Sequence, residues 1–214
     1  MKIVSRKKRK FYFFGGLYDA SIEFFLGGMK KRVVKYINQY CLFPALDICC
    51  GTGKQCHLVE ERGHDNKVII GLDLDLKMMC FAAAKYPQLP FICADASHIP
   101  IKNRSIRGII VSYALHDKPP EMRIKMLEEA QRLLAPEGKI ILLDFEQPWN
   151  IRSRIGRFFT YLIECTAGKE HFRNGQQFIK QGGLREFIKK NKLVEIERRD
   201  IELGNSSIVV AEFA

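Results

Sequence analysis

The stretch ALDICCGTGKQC, Ala45 to Cys56, decides the reading of this 214-residue chain. Four mostly apolar residues, Ala45 to Ile48, lead into a tight turn bearing Gly51 and Gly53, and a polar, helix-compatible segment follows. A short apolar run bounded by a glycine turn has the pattern of a buried strand. When such a strand turns into a helix, the glycine backbone can approach a ligand closely. The next apolar run, VIIGLD, ends in Asp73, 20 residues after Gly53. In a doubly wound sheet an interval of about 20 residues returns the chain to the neighbouring strand tip, where a carboxylate can accept both ribose hydroxyls. Loop and acid together point to a nucleoside-bearing cofactor. The dinucleotide pattern GxGxxG is not met, because Cys56 stands where the third glycine belongs. That argues against nicotinamide or flavin.

Outward from this stretch, strands and helices alternate. Pro44 starts the first strand, LDICC, and Lys54 to Arg62 is the following helix. VIIGLD is strand two, Leu76 to Tyr86 a helix that stops before Pro87, PFICAD strand three, and Ile106 to Tyr113 strand four. From Pro120 to Leu134, the residues Met122, Met126, Leu127, Ala130, Leu133 and Leu134 share one helical face. Pro136-Glu137-Gly138 reads as a turn before strand five, KIILLDF. Strands alternating with helices at this spacing predict a parallel sheet with helices on both faces. Phe11 to Tyr40 reads as one or two helices, broken near Gly15-Gly16 and Gly27-Gly28. Beyond Trp149 the rhythm changes. Ile151, Ile155, Phe158, Phe159 and Leu162 follow helical spacing, with Arg152, Arg154 and Arg157 elsewhere on that helix. A second helical stretch, HFRNGQQFIKQGGLREFIKKN, is broken at Gly182-Gly183, and LVEIERRDI and SSIVVAEF read as two closing strands.

Composition narrows the class. The length suits one domain with a full core, and 47% apolar residues exclude a disordered chain. No apolar run reaches the roughly 18 residues of a membrane span. The start, MKIVSRKKRKFYFF, lacks the long apolar stretch and cleavage site of a secretory signal. Seven irregularly spaced cysteines read as reduced thiols of a cytoplasmic protein. Cys49, Cys50, Cys56 and His57 do not fit a common zinc spacing, so no metal is expected. The net charge of +11 is uneven. Residues 1–10 carry six bases and no acid, residues 11–148 carry 17 bases and 16 acids, and residues 149–200 carry 12 bases and six acids. The middle is close to neutral and the excess lies on the flanks. Basic flanks can face anionic lipid or nucleic acid, or serve as a solvated surface.

Four motifs, LDICCGTG, GLDLDLKMM, CADASHIPIKNRSIRGIIVSYALHD and LAPEGKIILLDFE, stand in the order found in class I S-adenosylmethionine (SAM) dependent methyltransferases. The double cysteine before GTG most resembles the ubiquinone/menaquinone biosynthesis methyltransferase family. The resemblance covers roughly residues 15 to 145. It implies an α/β fold: a Rossmann-like seven-stranded doubly wound sheet with a helical cap inserted after strand five. The single domain, 1–214, would divide into a basic arm (1–10), N-terminal helices (11–43), a SAM-binding core (44–148), the helical cap (149–192) and closing strands (193–214). SAM is the implied cofactor and S-adenosylhomocysteine its product.

Site residues follow from the same resemblance. Gly51, Thr52 and Gly53 would cradle the methionine part of SAM, with Cys49 where the wider superfamily often has glycine. Tyr18, in a Tyr18-Asp19 pair, would cover the methionine end. Asp47, inside an apolar strand, would order the loop amides and reach the SAM ammonium through water. A buried carboxylate needs such partners, because burial otherwise costs several kcal/mol. Asp73 would hold the ribose with Leu74 beside it, while Asp75 caps the next helix. Asp95 and Ala96 would read the adenine ring, and Ser112 would touch the cofactor. His116 and Asp117, just past the tip of strand four, are the acid/base candidates, His116 alternatively being a pocket-wall or capping residue. His171 is a surface residue or a substrate contact.

The acceptor implied is a small, lipophilic molecule such as a quinol or phenol, since the aromatic-basic segment 149–165 can roof an apolar pocket or lie on a membrane surface. Nucleic acid is disfavoured. Asp117-Lys118-Pro119-Pro120 only superficially matches the Asn/Asp-Pro-Pro-Tyr run of base-amino methylation, and there is no Pro-Cys dipeptide. The alternatives are an RNA or protein methyltransferase docking through the basic flanks, and a non-catalytic SAM-binding protein.

Overall fold

The computed structural model describes residues 28–62, 67–148, 151, 169–201 and 205–214. The basic arm, Tyr18, the N-terminal helical segment before residue 28, and residues 149–168 apart from Ile151 lie outside the described residues. The expected membrane-facing segment falls there too. Among the described residues no helix is long and apolar enough to cross a membrane.

Seven strands form one sheet: β1 (Ala45–Ile48), β2 (Ile69–Asp73), β3 (Phe91–Cys93), β4 (Ile106–Ser112), β5 (Leu134–Phe145), β6 (Leu193–Ile201) and β7 (Ser206–Phe213). The spatial order is β3-β2-β1-β4-β5-β7-β6. The first five strands pair in parallel, whereas β7 is antiparallel to both β5 and β6. The order reverses direction between β1 and β4, and α/β sheets bind ligands outside the strand ends at such a switch.

The described helices are α1 (residues 28–39), α2 (Lys54–Arg62), α3 (Leu76–Lys85), α4 (Pro120–Leu133), α5 (Lys169–Lys180) and α6 (Gly183–Lys190). Strand alternation divides the interior into two cores, one per sheet face. Leu46, Ile48, Ile109, Val111, Ile140, Leu142 and Val209 face α4, α5 and α6, whose Met126, Leu133, Phe178, Leu184 and Ile188 complete that layer. Ala45, Ile69, Ile110, Ile141, Leu143, Ile208 and Val210 face α1 and α2 through Val33, Ile37, Cys56 and Val59. In the parallel part both faces are covered, which is why IIV in strand four is apolar throughout.

The strand ends differ from the periodic reading. β1 stops at Ile48 because Cys49 takes a left-handed φ of 61°, and β4 stops at Ser112 because Tyr113 does the same at 51°. Asp95 belongs to a turn after β3, not to the strand. The Pro136-Glu137-Gly138 turn lies inside β5. Leu134 already pairs with Ile106, and the register slips before Gly108 meets Lys139. Glu137, at φ 63°, marks that irregularity. Of the expected cap, α5 and α6 are described, and their apolar faces pack into the sheet core.

Candidate active site

Beyond the carboxyl ends of β1, β2 and β4 lies a cavity of about 360 Å³. Its floor is built by the turn after β1. Gly51 and Gly53 both have positive φ, 54° and 74°. The Asp73 carboxylate ties this turn to the tip of β2: Gly51 N donates to Oδ2 at 2.9 Å and Asp75 N to Oδ1 at 2.9 Å. Each oxygen keeps a lone pair, so two ligand hydroxyls can still be accepted. Asp75 caps α3, accepting from the amides of Lys77 and Met78 at 2.7 and 3.3 Å.

Asp47 is 2% exposed and belongs to the cavity wall. Burial pushes its carboxyl up to about 7, against a hydrogen bond from the Cys56 thiol and the nearby positive charge of Lys30. Burial likewise pushes the Cys49 thiol up to about 12, so it stays protonated at neutral pH. Asp95 Oδ1 accepts from Ser97 N and Ser97 Oγ, both at 2.8 Å, and these bonds hold its carboxyl below the usual range. Its other oxygen is not used in that turn. Ser112 Oγ lines the cavity and is buried with no hydrogen-bond partner among the described residues.

The cavity brings together ten of the sequence candidates: Asp47, Cys49, Gly51, Thr52, Asp73, Leu74, Asp95, Ala96, Ser112 and Asp117. Two others do not line it. A Cβ on Gly53 would lie 2.7 Å from Phe91 Cζ, so this glycine serves close packing against β3. His116 is the second. Its side chain is buried, its Nδ1 lies 2.8 Å from Asp144 Oδ1, and it stands outside the cavity wall, in the loop past the tip of β4. Tyr18 lies outside the described residues. Among those residues, no group of three or more His, Cys, Asp or Glu side chains is arranged to hold a metal.

The loop after β4 is clamped from both sides. Asp144 Oδ2 accepts from Leu115 N and His116 N at 2.9 and 3.2 Å. Arg123, from α4, donates Nε to Leu115 O at 2.8 Å and Nη2 to His116 O at 3.5 Å and Asn174 O at 3.1 Å. Asn174 Nδ2 donates to Asp117 O at 2.9 Å. Arg123 stacks over Phe178 at 4.8 Å, and burial holds its pKa below the ordinary value. The loop thus presents Asp117 to the cavity, where Lys118 Nζ contacts both carboxylate oxygens at 2.8 and 2.9 Å.

Sequence reasoning missed Lys30, Gln55, Lys118 and Met122 on the cavity wall. It also missed Arg123. That residue carried a readable signal, being three, four and seven positions before Met126, Leu127 and Ala130 and hence in phase with the apolar stripe. Lys30 carried none, since one base in a helical segment usually faces water.

Residues 45–138 match the family model described as a methyltransferase domain. The chain is 31% identical over 138 residues to a demethylmenaquinone methyltransferase of Oceanobacillus iheyensis, covering 62% of this chain and 57% of that protein. It is 34% identical over 125 residues to a 2-phytyl-1,4-naphtoquinone methyltransferase of Thermosynechococcus vestitus, covering 56% of this chain and 53% of that one. The matches thus span little more than half the length of these relatives. A solved SAM-dependent methyltransferase from Aquifex aeolicus shares the fold, with a TM-score of 0.58 over 86% of this chain and 89% of that one, at 13% identity.

Proposed function

We propose that this chain, whose residues 45–138 match the methyltransferase domain family, transfers a methyl group from SAM to a small, lipophilic acceptor bearing a phenolic or quinolic hydroxyl. The observation that carries the reading is the cavity at the β1/β4 switch, which gathers the β1 turn, Asp73, Asp95 and Ser112. Its volume of about 360 Å³ falls within the range of small-molecule sites, about 300–1,000 Å³.

The residues fit SAM group by group. Asp73 offers two oxygens for the ribose hydroxyls. Asp95 and the amide of Ala96 suit the exocyclic amine and ring of adenine, with Leu74 and Met78 as apolar cover. Asp47, raised by burial, gains a counter-charge from the cofactor's ammonium. Lys30, on the same wall, suits its carboxylate. Ser112 Oγ gains a partner that the described residues do not supply. SAM, when bound, supplies a methyl group on a sulfonium, the leaving group of an in-line displacement. The chain's own task is then to align the acceptor and exclude water, and positioning can supply about 7–11 kcal/mol of a barrier.

The acceptor class rests on the names of the quinone-acting relatives and on the apolar side of the cavity, Tyr113, Met122 and Leu143. Calorimetric titration with SAM tests the cofactor half. Replacing Asp73 with alanine should weaken binding at least about tenfold, the loss of two hydrogen bonds from a charged acceptor. Unchanged affinity would remove Asp73 from the ribose. Incubation with methyl-labelled SAM and whole-cell extract tests the acceptor half. Label in the organic phase supports a lipophilic acceptor, whereas label in RNA or protein, or in none of the fractions, overturns it.

A further inference from the structure

We infer that the acceptor's proton leaves through Asp117 and His171, a carboxylate–imidazole pair that joins the β4 loop to α5, with His116 outside the path. The inference deepens the methyltransferase reading and rests on it. Two such pairs stand side by side, the rings of His116 and His171 meeting edge to face at 5.2 Å. The pair of His116 and Asp144 is closed. Its side chains are 4% and 1% exposed, and Asp144 also receives three backbone amides. Turning His116 toward a ligand would strip a buried carboxylate of a partner, a costly change in a dry interior.

The second pair is open. Asp117 lines the cavity, and His171, with 28% of its side chain exposed, brings Nδ1 to 3.8 Å from Asp117 Oδ2. One molecule of water or a small side-chain movement closes that distance. Asn174, three residues after His171 on α5, holds the Asp117 carbonyl at 2.9 Å. The same helix therefore supplies both the latch on the loop and the imidazole beside its carboxylate.

The step balances. The acceptor's O–H bond breaks and its proton goes to Asp117. The electron pair left behind strengthens the nucleophilic atom that bonds to the methyl carbon, and the carbon–sulfur pair departs with sulfur. The proton then passes from the carboxylate to His171, whose exposed edge returns it to water. Lys118 Nζ, 2.8 Å from Asp117 Oδ1, stands by the developing anion. Asp117 touches the acceptor, and His171 is a positioning residue acting through it.

Two readouts test this. Full-length protein labelled at histidine Cε1 and saturated with S-adenosylhomocysteine is titrated with 2-naphthol and followed by NMR, the His171 signal being identified by its loss in His171→Gln. The expected result is a shift of that signal which disappears in Asp117→Asn, with the His116 signal unmoved. No shift at His171, a shift that survives Asp117→Asn, or movement of His116 alone overturns the proposal. In turnover, His171→Gln should lower kcat about tenfold more for 2-naphthol than for 2-naphthalenethiol, whose thiolate needs no base, with KM for SAM changed less than about twofold. Equal losses on both acceptors would make His171 a structural residue. If the wild-type protein methylates neither compound, the phenolic-acceptor reading fails on its own, and the NMR titration still decides the pair.

Discussion

Gly51 and Gly53 share a left-handed backbone but have opposite surroundings. A Cβ on Gly51 would meet nothing within 4 Å, whereas one on Gly53 would meet Phe91 at 2.7 Å and Ala82 at 3.1 Å. Gly53→Ala must therefore displace a ring as well as bear the strain. It should cost roughly 2–4 kcal/mol, seen as a lower midpoint in thermal unfolding. Gly51→Ala should cost about 1–2 kcal/mol in stability but weaken SAM binding at least about tenfold, because its methyl occupies ligand space. Equal unfolding shifts with unchanged SAM affinity would sink the distinction. Asp47 gives a second prediction. Its folded pKa of about 7 lies above the ordinary 3.8, so its stabilising contribution is complete below the lower value and is lost as pH rises through 7. A bound ammonium reverses the preference by favouring the anion. SAM affinity should thus rise about tenfold from pH 6 to 8, with proton release at the acid end that is seen calorimetrically in buffers of different ionisation enthalpy. Asp47→Asn should flatten the profile, and a retained slope would assign it to another group. At this scale the sequence carried ten residues of the cavity wall, because carboxylates and glycines at strand tips are chemically conspicuous. It did not separate His116 from His171, since which imidazole is sealed depends on Asp144, 28 residues from one and on a different strand.

At the scale of elements, legibility follows the presence of a local stop signal. The start of α4 was readable because Pro120 occupies its first turn, and α3 was bounded by the Asp75 cap and Pro87. β1 and β4 end instead on Cys49 and Tyr113, which adopt positive φ without being glycine, asparagine or aspartate, so nothing local announces it. Tertiary bonds hold these ends. Asp144 is fully buried on β5 and takes the amides of Leu115, His116 and Phe145, besides the imidazole. Asp144→Asn preserves shape but aims an amide group at one set of donors. It should destabilise by about 2–4 kcal/mol in denaturant unfolding, with an unchanged m-value. It should also lower turnover more than SAM affinity, because the loop it holds carries Asp117 and not Asp73, the acid proposed for the ribose. A loss confined to SAM affinity would mean that the clamp serves the cofactor side.

Across the whole molecule, the sheet is most secure at its centre. Leu46, Ile109, Ile110, Ile140, Leu142 and Val209 are fully buried between covered faces, while β3 pairs through three residues and the edge strand β6 exposes Val194 and Ile196. The β6 edge is tied back by α1. Tyr36 and Tyr40 donate to Glu197 at 3.0 and 3.1 Å and Gln39 at 3.3 Å. Burial raises the Glu197 carboxyl, but these bonds outweigh it and hold it below the usual range, so their contribution is present above the ordinary carboxylate pKa and lost as pH falls through the lowered one. The helix that anchors this edge also carries Lys30 on the cavity wall, so α1 links the far edge of the sheet to the site. Hydrogen exchange should consequently be slowest in β1, β4, β5 and β7, faster in β6, and fastest in β3 among the strands. SAM should slow exchange at residues 49–53 and 73–75, and through Lys30 in α1, while β6 changes little. Protection that spreads evenly over all seven strands would instead indicate global stabilisation by mass action, with no local ordering of the site. Protection confined to the β5–β7 side would place the ligand away from the switch between β1 and β4, and would remove the common ground on which the ribose, adenine and acceptor assignments stand.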